Sequence, residues 1–214
     1  MTAPAIDRLR RHRERGSDDR AQLDAILDAA LVGTLATVVE DEPWVVPVLV
    51  ARDGDRLLIH GSTGAGALRH VAAGARAAIC VTHLDGLVVA HTTFESSANY
   101  RSAVVRGRLE QLAGAEAARA LDVLSEHVLP GRLAEVRGTT AKERAATLAL
   151  SLPITDGGWT VKVRNAWSDE PDEPTDAWIG VVPVETRFGA PSTAPFSPTG
   201  QVPDSIRALV SGRS

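Results

Sequence analysis

One cysteine, one methionine, one tyrosine and three phenylalanines stand among 214 residues. With Cys80 alone, no intramolecular disulfide and no cysteine-rich zinc site can form. Cys80 lies in the apolar run Ala77-Ala-Ile-Cys-Val81 and reads as a small core residue. No apolar run approaches the ~20 residues of a membrane-spanning helix. The N-terminus is polar and arginine-rich, without the apolar stretch of a secretory leader. A cytoplasmic protein with no membrane association is expected. Excess positive charge is also missing: the net charge is −4, which gives no general attraction for nucleic acid. No His-x3-His pair or His/Cys cluster is present, so no metal centre is expected. No lysine follows the glycines of residues 61–66, which excludes a nucleoside-triphosphate loop.

What is present is globular: 44% hydrophobic and 23% charged residues, enough for one sizeable core. Three parts follow from composition. Residues 1–20 form a charged arm, 21–188 a domain, and 189–214 a Pro/Ser/Thr/Gly-rich tail expected to be extended or flexible. The domain opens with an amphipathic helix that carries Leu23, Ile26, Leu27, Ala30 and Leu31 on one face and is expected to stop at Gly33. Strands follow at 34–39, 44–50 and 56–60, joined by a turn at 40–43 and an Asp-Gly hairpin signal at 53–54. Pro47 removes a ladder donor from the second of them, so a backbone group opposite it must find another partner or lie at an edge. Further strands are read at 76–84 and 87–94 around a turn at Asp85-Gly86, then up to residue 109. A helix spans 116–129 and two last strands 146–154 and 159–164. This hairpin order predicts a mainly β protein, a six- to eight-stranded antiparallel barrel with flanking helices.

Residues 56–69 run from a strand through Gly61, Ser62, Thr63 and Gly64 into a helix start. Such a turn offers backbone N–H groups and two hydroxyls to a phosphate, with Arg69 one helical turn later.

The series Trp44-Val-Val-Pro-Val48, Leu57-Leu-Ile-His-Gly-Ser62, Tyr100-Arg-Ser102 and Leu124-Ser-Glu-His-Val-Leu-Pro-Gly131 resembles the pyridoxamine 5'-phosphate oxidase-like split-barrel superfamily. Within it, the likeness is to the flavin-nucleotide-binding branch that includes the 5-nitroimidazole reductases. The resemblance implies a split β-barrel homodimer with FMN at the subunit interface. It implies that the backbone of Val46, Pro47 and Val48 faces the flavin ring and that Gly61, Ser62 and Thr63, with Arg69, hold the phosphate. His60 would lie beside the cofactor. Tyr100, Arg101, Ser102, Lys162, Arg164 and Trp178 would complete the site. The function it implies is an FMN-dependent oxidoreductase acting on a small aromatic or nitrogen-containing molecule, with His60 and Glu95 as candidate catalytic groups.

The sequence departs from relatives at three places. Gly66 stands where a basic residue is usual, Glu95-Ser-Ser97 where His-His-Ser is common, and Ala166-Trp167 where Gly-Pro is common. Two alternatives stay open. One is a haem b protein on the same fold, with a histidine such as His60, His83 or His91 as axial ligand. The other is a cofactor-binding module without turnover.

Overall fold

The computed structural model describes residues 12–212. Of the expected charged arm, residues 1–11 lie outside the described residues. Ten strands are present: β1 (Gly16–Ser17), β2 (Val32–Val39), β3 (Glu42–Asp53), β4 (Arg56–Ser62), β5 (Arg76–Val89), β6 (Ser97–Arg108), β7 (Glu110–Gln111), β8 (Thr147–Pro153), β9 (Trp159–Arg164) and β10 (Gly180–Pro183). Five α-helices accompany them: α1 (Arg20–Asp28), α2 (Gly66–Ala72), α3 (Gly114–Val128), α4 (Ala141–Ala145) and α5 (Asp204–Gly212).

All pairings are antiparallel, in the order β1-β9-β6-β5-β2-β3-β4-β8-β7, with β10 added to β5. The antiparallel split barrel expected from the hairpins is therefore the observed fold. The strands beyond the expected number are the short β1, β7 and β10. The β2–β3 hairpin turns through Glu40 and Asp41, both at positive φ (50° and 66°), and β3–β4 turns through Gly54 at φ 60°. Positive φ at both central residues, as in the first turn, or at the first alone, as in the second, matches the strands' twist.

β3 serves two ladders. Its residues 42–49 pair with β2, and Val50–Asp53 pair with Arg56–Ile59 of β4. Beyond Ile59, β4 leaves β3 and pairs only with β8. The two strands thus fork between Leu49 and His60. β6 and β8 approach across the other seam without a ladder: a Cβ on Gly107 would meet Leu152 Cδ1 at 3.0 Å.

The main core fills the barrel with Leu35, Val50, Leu57, Ile59, Ile79, Val105, Leu150 and Leu152, and α1 closes it with Leu23, Ile26 and Leu27. Asp19 caps α1, accepting the Ala21 N–H at 2.9 Å, and Arg52 grips Asp28 through two nitrogens at 2.8 and 2.6 Å. α3 covers the outside of the β3–β4–β8 ladder over Ala51, Leu58 and Ala149. No helix of the described residues is long and apolar enough to cross a membrane.

Three local expectations are corrected. Residues 76–94 were expected as two strands joined by a turn at Asp85-Gly86. They form one strand, β5, with a bulge there: Leu84 and Gly86 face the consecutive residues Tyr100 and Asn99. Asp85 is the extra residue, held sideways by Arg101 with contacts of 2.8–3.2 Å. Gly86 lies beneath β10, where a Cβ would meet Val182 O at 3.1 Å. Second, the polar stretch before β8 contains α4, started by a capping box between Thr140 and Glu143. Third, the tail has no regular structure through residue 203, then forms α5. That helix docks by Leu209 and by Ser205, whose N–H and hydroxyl both donate to Glu135 at 2.9 and 2.5 Å.

Gly33 marks a close approach of side chains inside the barrel. A Cβ there would meet Val50 Cγ1 at 2.9 Å and Ile79 Cγ2 at 3.0 Å. We expect Gly33→Ala to cost about 1–3 kcal/mol by overpacking. It should lower the urea midpoint with little change in slope; an unchanged midpoint would contradict the close approach.

Candidate functional site

Sheet order divides the sequence-predicted residues into two groups. Val46, Pro47 and Val48 on β3, His60, Gly61 and Ser62 on β4, Thr63 and Arg69 gather around the fork. Tyr100, Arg101 and Ser102 on β6, Lys162 and Arg164 on β9, and Trp178 form the other group. β5 and β2 lie between β6 and β3, a lateral gap of about 14 Å at ~4.8 Å per strand. One protomer does not bring both groups onto one small ligand.

The fork is built by two prolines. Pro43 and Pro47 face Val38 and Thr34 of β2. Proline has no N–H, so these are positions whose backbone groups point away from β2. Val45 and Leu49 share that parity, and the Val50 N–H on the opposite parity bonds Leu31 O at 3.1 Å. The N–H and C=O of Val45, and the carbonyls of the prolines, therefore face the open side of β3, where β4 has left. Of the predicted trio, Pro47 points its carbonyl there, and the backbone of Val46 and Val48 serves the β2 ladder. The side chains of Val48 and Val46 point into the barrel.

α2 wedges into the mouth of the fork. A Cβ on Gly61 would meet Leu68 Cδ2 at 2.6 Å, so Gly61 lets Leu68 enter the core. In the turn, Gly64 N–H donates to Ser62 Oγ at 3.1 Å, Ala65 N–H to Ser62 O at 2.9 Å and Thr63 N–H to Ala146 O at 3.1 Å. The amides of residues 63–65 are thus internally used. The first helical amides, which have no carbonyl a turn earlier to bond, are those of Gly66, Ala67 and Leu68. Arg69 is exposed, and no carboxylate among the described residues pairs with it.

Gly66 has a local reason to be glycine. A Cβ there would lie 2.6 Å from Trp44 Cη2 and 3.3 Å from Cζ2. The indole of Trp44 occupies the space that a basic side chain at position 66 would need. Sequence reasoning read Trp44 only as a strand residue; its contact with Gly66 crosses from β3 to α2 and leaves no local signal.

His60 ends the apolar face of β4, opposite Ala149. Its Nδ1 is buried with no hydrogen-bond partner, and burial pushes the imidazole below its ordinary pKa of 6.5. A neutral ring with an unmet buried nitrogen is poised for a ligand's donor or acceptor.

In the second group most polar atoms are engaged. Arg101 is clamped to Asp85, which raises its pKa further. Arg164 is buried and donates to Asn99 Oδ1 at 2.7 Å and to Trp167 O at 3.2 Å, so it ties β9 to the following loop. Ser102 Oγ donates to Lys162 O at 3.3 Å. Lys162 Nζ lies 5.6 Å from the Tyr100 ring centroid, a cation–π distance. Trp178 folds over Gly180, where a Cβ would fall 2.5 Å from the indole.

Glu95 is not beside His60; its Oε2 lies 2.8 Å from His91 Nδ1. Three further histidines are structural pins. His70 Nε2–H donates to Val38 O at 2.9 Å, His83 to Ile26 O at 3.0 Å and His127 to Ala30 O at 2.7 Å. A carbonyl only accepts, so these rings carry their proton on Nε2. His83, a candidate axial ligand from sequence, thus has that nitrogen committed to the end of α1.

Comparison with known proteins adds the following. The pyridoxamine 5'-phosphate oxidase family model matches residues 19–157. The FAD and heme binding protein from Mycobacterium smegmatis is 45% identical, with TM-score 0.88 over 92% of this chain and 97% of its own. The flavocytochrome Anf3 from Azotobacter vinelandii is 28% identical, with TM-score 0.86 over 94% of each chain. A Bacteroides thetaiotaomicron protein named for 5-nitroimidazole antibiotic resistance shares the fold at 21% identity, with TM-score 0.58 over 69% of this chain and 86% of its own. No protein among the curated ones matches.

Two outcomes are expected from the fork. Gly66→Arg alone should destabilise the chain, and Trp44→Ala should relieve most of that loss. A double-mutant cycle is expected to show coupling of about 1 kcal/mol or more, and additive effects would refute the contact. For His60, the unfolded chain takes up a proton as pH falls through 6.5 while the folded one does not. Its contribution is therefore full above 6.5 and declines as pH drops toward the lowered folded value. His60→Gln should flatten the fall in denaturation midpoint on acidification, and an unaltered slope would locate the acid sensitivity elsewhere.

Proposed function

Because the chain belongs to the pyridoxamine 5'-phosphate oxidase family, we propose that it is a flavin-dependent oxidoreductase that works as a homodimer on a small aromatic or nitrogen-containing molecule. The observation that carries this reading is the fork itself. It combines an open backbone edge at Val45 and Pro47, the buried unmet Nδ1 of His60, and the unpaired cation Arg69 beyond the turn. A pyrimidine ring edge with alternating acceptors and a donor suits an unpaired strand edge, and a phosphate suits Arg69 with the first amides of α2. The residues present therefore fit a flavin.

A flavin held there supplies hydride or single-electron transfer. The chain's own part is narrower. The β3 edge sets the ring's orientation, because backbone groups cannot rotate away as side chains do. His60, neutral at pH 7, offers one hydrogen bond without adding charge. The Val45 and Leu49 side chains, on the outer face, exclude water from one side of the ring.

A second protomer supplies the rest. The outer faces of β2 and β3 leave Val32 at 55% and Val45 at 56% exposure, with Leu49 and Val38 beside them. No helix of the described residues covers this sheet face, and a contiguous apolar surface of this kind is normally an interface. A two-fold contact through it brings the Tyr100–Lys162 group of one subunit toward the fork of the other. That arrangement explains why the site residues fall into two groups.

The form of the flavin follows from Trp44. An indole in place of a basic residue weakens the hold on a terminal phosphate and offers a π surface for a base. FAD is thus favoured over the FMN expected from sequence, in agreement with the name of the 45% identical relative. That relative's name and the flavocytochrome's also favour haem as a second group. The residues fit that as well: one histidine, His91, keeps its Nε2 uncommitted next to a carboxylate.

The absorbance spectrum and mass of the purified protein test the reading. Two visible flavin bands, FAD on denaturation, and light scattering at twice 22.6 kDa are expected. Val45→Asp should give a folded monomer that loses most of its flavin. A colourless wild-type protein that takes up no added flavin would remove the enzyme assignment.

A further inference from the structure

Beyond its bulge, β5 is flanked on both sides. Leu87 pairs with Val182 of β10 and with Ala98 of β6, and Val89 pairs with Gly180. Directly opposed residues share a face, so this extension carries Leu87, Val182 and Ala98 together. Leu87 and Val182 are 48% and 47% exposed, and the adjoining Trp178 and Phe94 are 64% and 96% exposed. Large apolar side chains are thus left in water next to the end of β5. Two residues past that end stands His91, in a tight loop closed by Ala90 N–H to Ser96 Oγ at 3.1 Å and Ser96 N–H to Thr92 O at 3.2 Å. The loop places Glu95 against His91. Their Nδ1 and Oε2 atoms touch at 2.8 Å without an aligned hydrogen bond; both are buried and neither has another partner.

We propose that His91, oriented by Glu95, is the axial imidazole for a haem seated on the apolar end of β5 and β10. Four lines converge on it. A carboxylate at Nδ1 selects the tautomer that leaves Nε2 as the basic, ligating nitrogen. His70, His83 and His127 have Nε2 committed to backbone carbonyls. His12 is exposed beside Glu14, away from any core, and His60 lies in the fork that the proposed flavin occupies, with no carboxylate paired to its ring. Finally, no group of three or more metal-ligating side chains converges among the described residues. A bare ion needs three or four protein ligands, whereas haem iron needs one imidazole and its macrocycle needs an apolar wall. Glu95, expected from sequence as a catalytic base, becomes a positioning residue.

The inference extends the haem part of the proposed function and is independent of the flavin part. It is tested on the full-length protein, stripped of haem and titrated with hemin, with flavin content measured in parallel. The wild type should develop a sharp Soret band at one haem per chain. His91→Ala should lose that band, regain it with free imidazole, and retain its flavin. Glu95→Ala should weaken haem binding by at least tenfold. Glu95→Gln should keep haem bound but raise its reduction potential, because the imidazole loses anionic support; a merely structural Glu95 would leave the potential unchanged. His12→Ala should titrate as wild type. An unaltered Soret band in His91→Ala, or loss of the band in His60→Gln instead, would overturn the assignment. So would a wild type that takes up flavin but no hemin, which would leave the flavin reading standing.

Discussion

β3 has to satisfy two ladders with one backbone, and much of the molecule follows from how it does so. Its first eight residues belong to β2 and its last four to β4. A strand cannot keep one neighbour along half its length without leaving the other half open on that side. Pro43 and Pro47 make this tolerable, since they withdraw donors from the open side and so blunt it against pairing with a foreign strand. The same opening lets β4 carry His60 beyond its last pair with β3, admits α2 to the mouth of the barrel, and seats Trp44 against Gly66. Stability and the proposed binding capacity therefore share a single origin: the fork is the closure problem of the barrel and, in the proposed function, the cradle for a planar ring.

The histidines show how hydrogen bonding divides labour among chemically identical side chains. His83 and His127 hold the end of α1 through Ile26 O and Ala30 O, carbonyls left without helical partners. These bonds fix the proton on Nε2 and take the rings out of ligand chemistry. His60 lacks such a bond and pays in desolvation, while His91 meets a carboxylate at the other nitrogen. Function is then assigned by what each ring's second nitrogen is doing, more than by where the ring sits in sequence.

Much of this was legible in the sequence because it is local. The periodicity of Leu23, Ile26 and Leu27 and the β2–β4 hairpins read correctly from spacing and turn chemistry, while β4 runs to Ser62, past the expected end at His60. The Asp-Gly pair shows the limit. At residues 53–54 it turns the chain, with Gly54 at φ 60°, and at 85–86 it makes a bulge inside one strand. The difference lies in Arg101 and in β10, which hold Asp85 and cover Gly86 from far along the chain. α4 and α5 did carry local signals, the Thr140-x-x-Glu143 box and the spacing of Ile206, Leu209 and Val210, under a composition that resembles a loop. Trp44 against Gly66 carried none, since it depends on two elements meeting in space.

The tethering of α5 has a consequence for how the chain can change. Residues 189–203 run without regular structure between β10 and a helix whose position is fixed by Ser205 on Glu135. The entropy of closing such a loop grows only logarithmically, by about 0.6 kcal/mol per doubling of length. The connecting segment is thus a place where insertions cost little, while the two-residue latch at its far end has no slack. Lineages of this fold are free to lengthen or decorate that strap, provided the latch is kept.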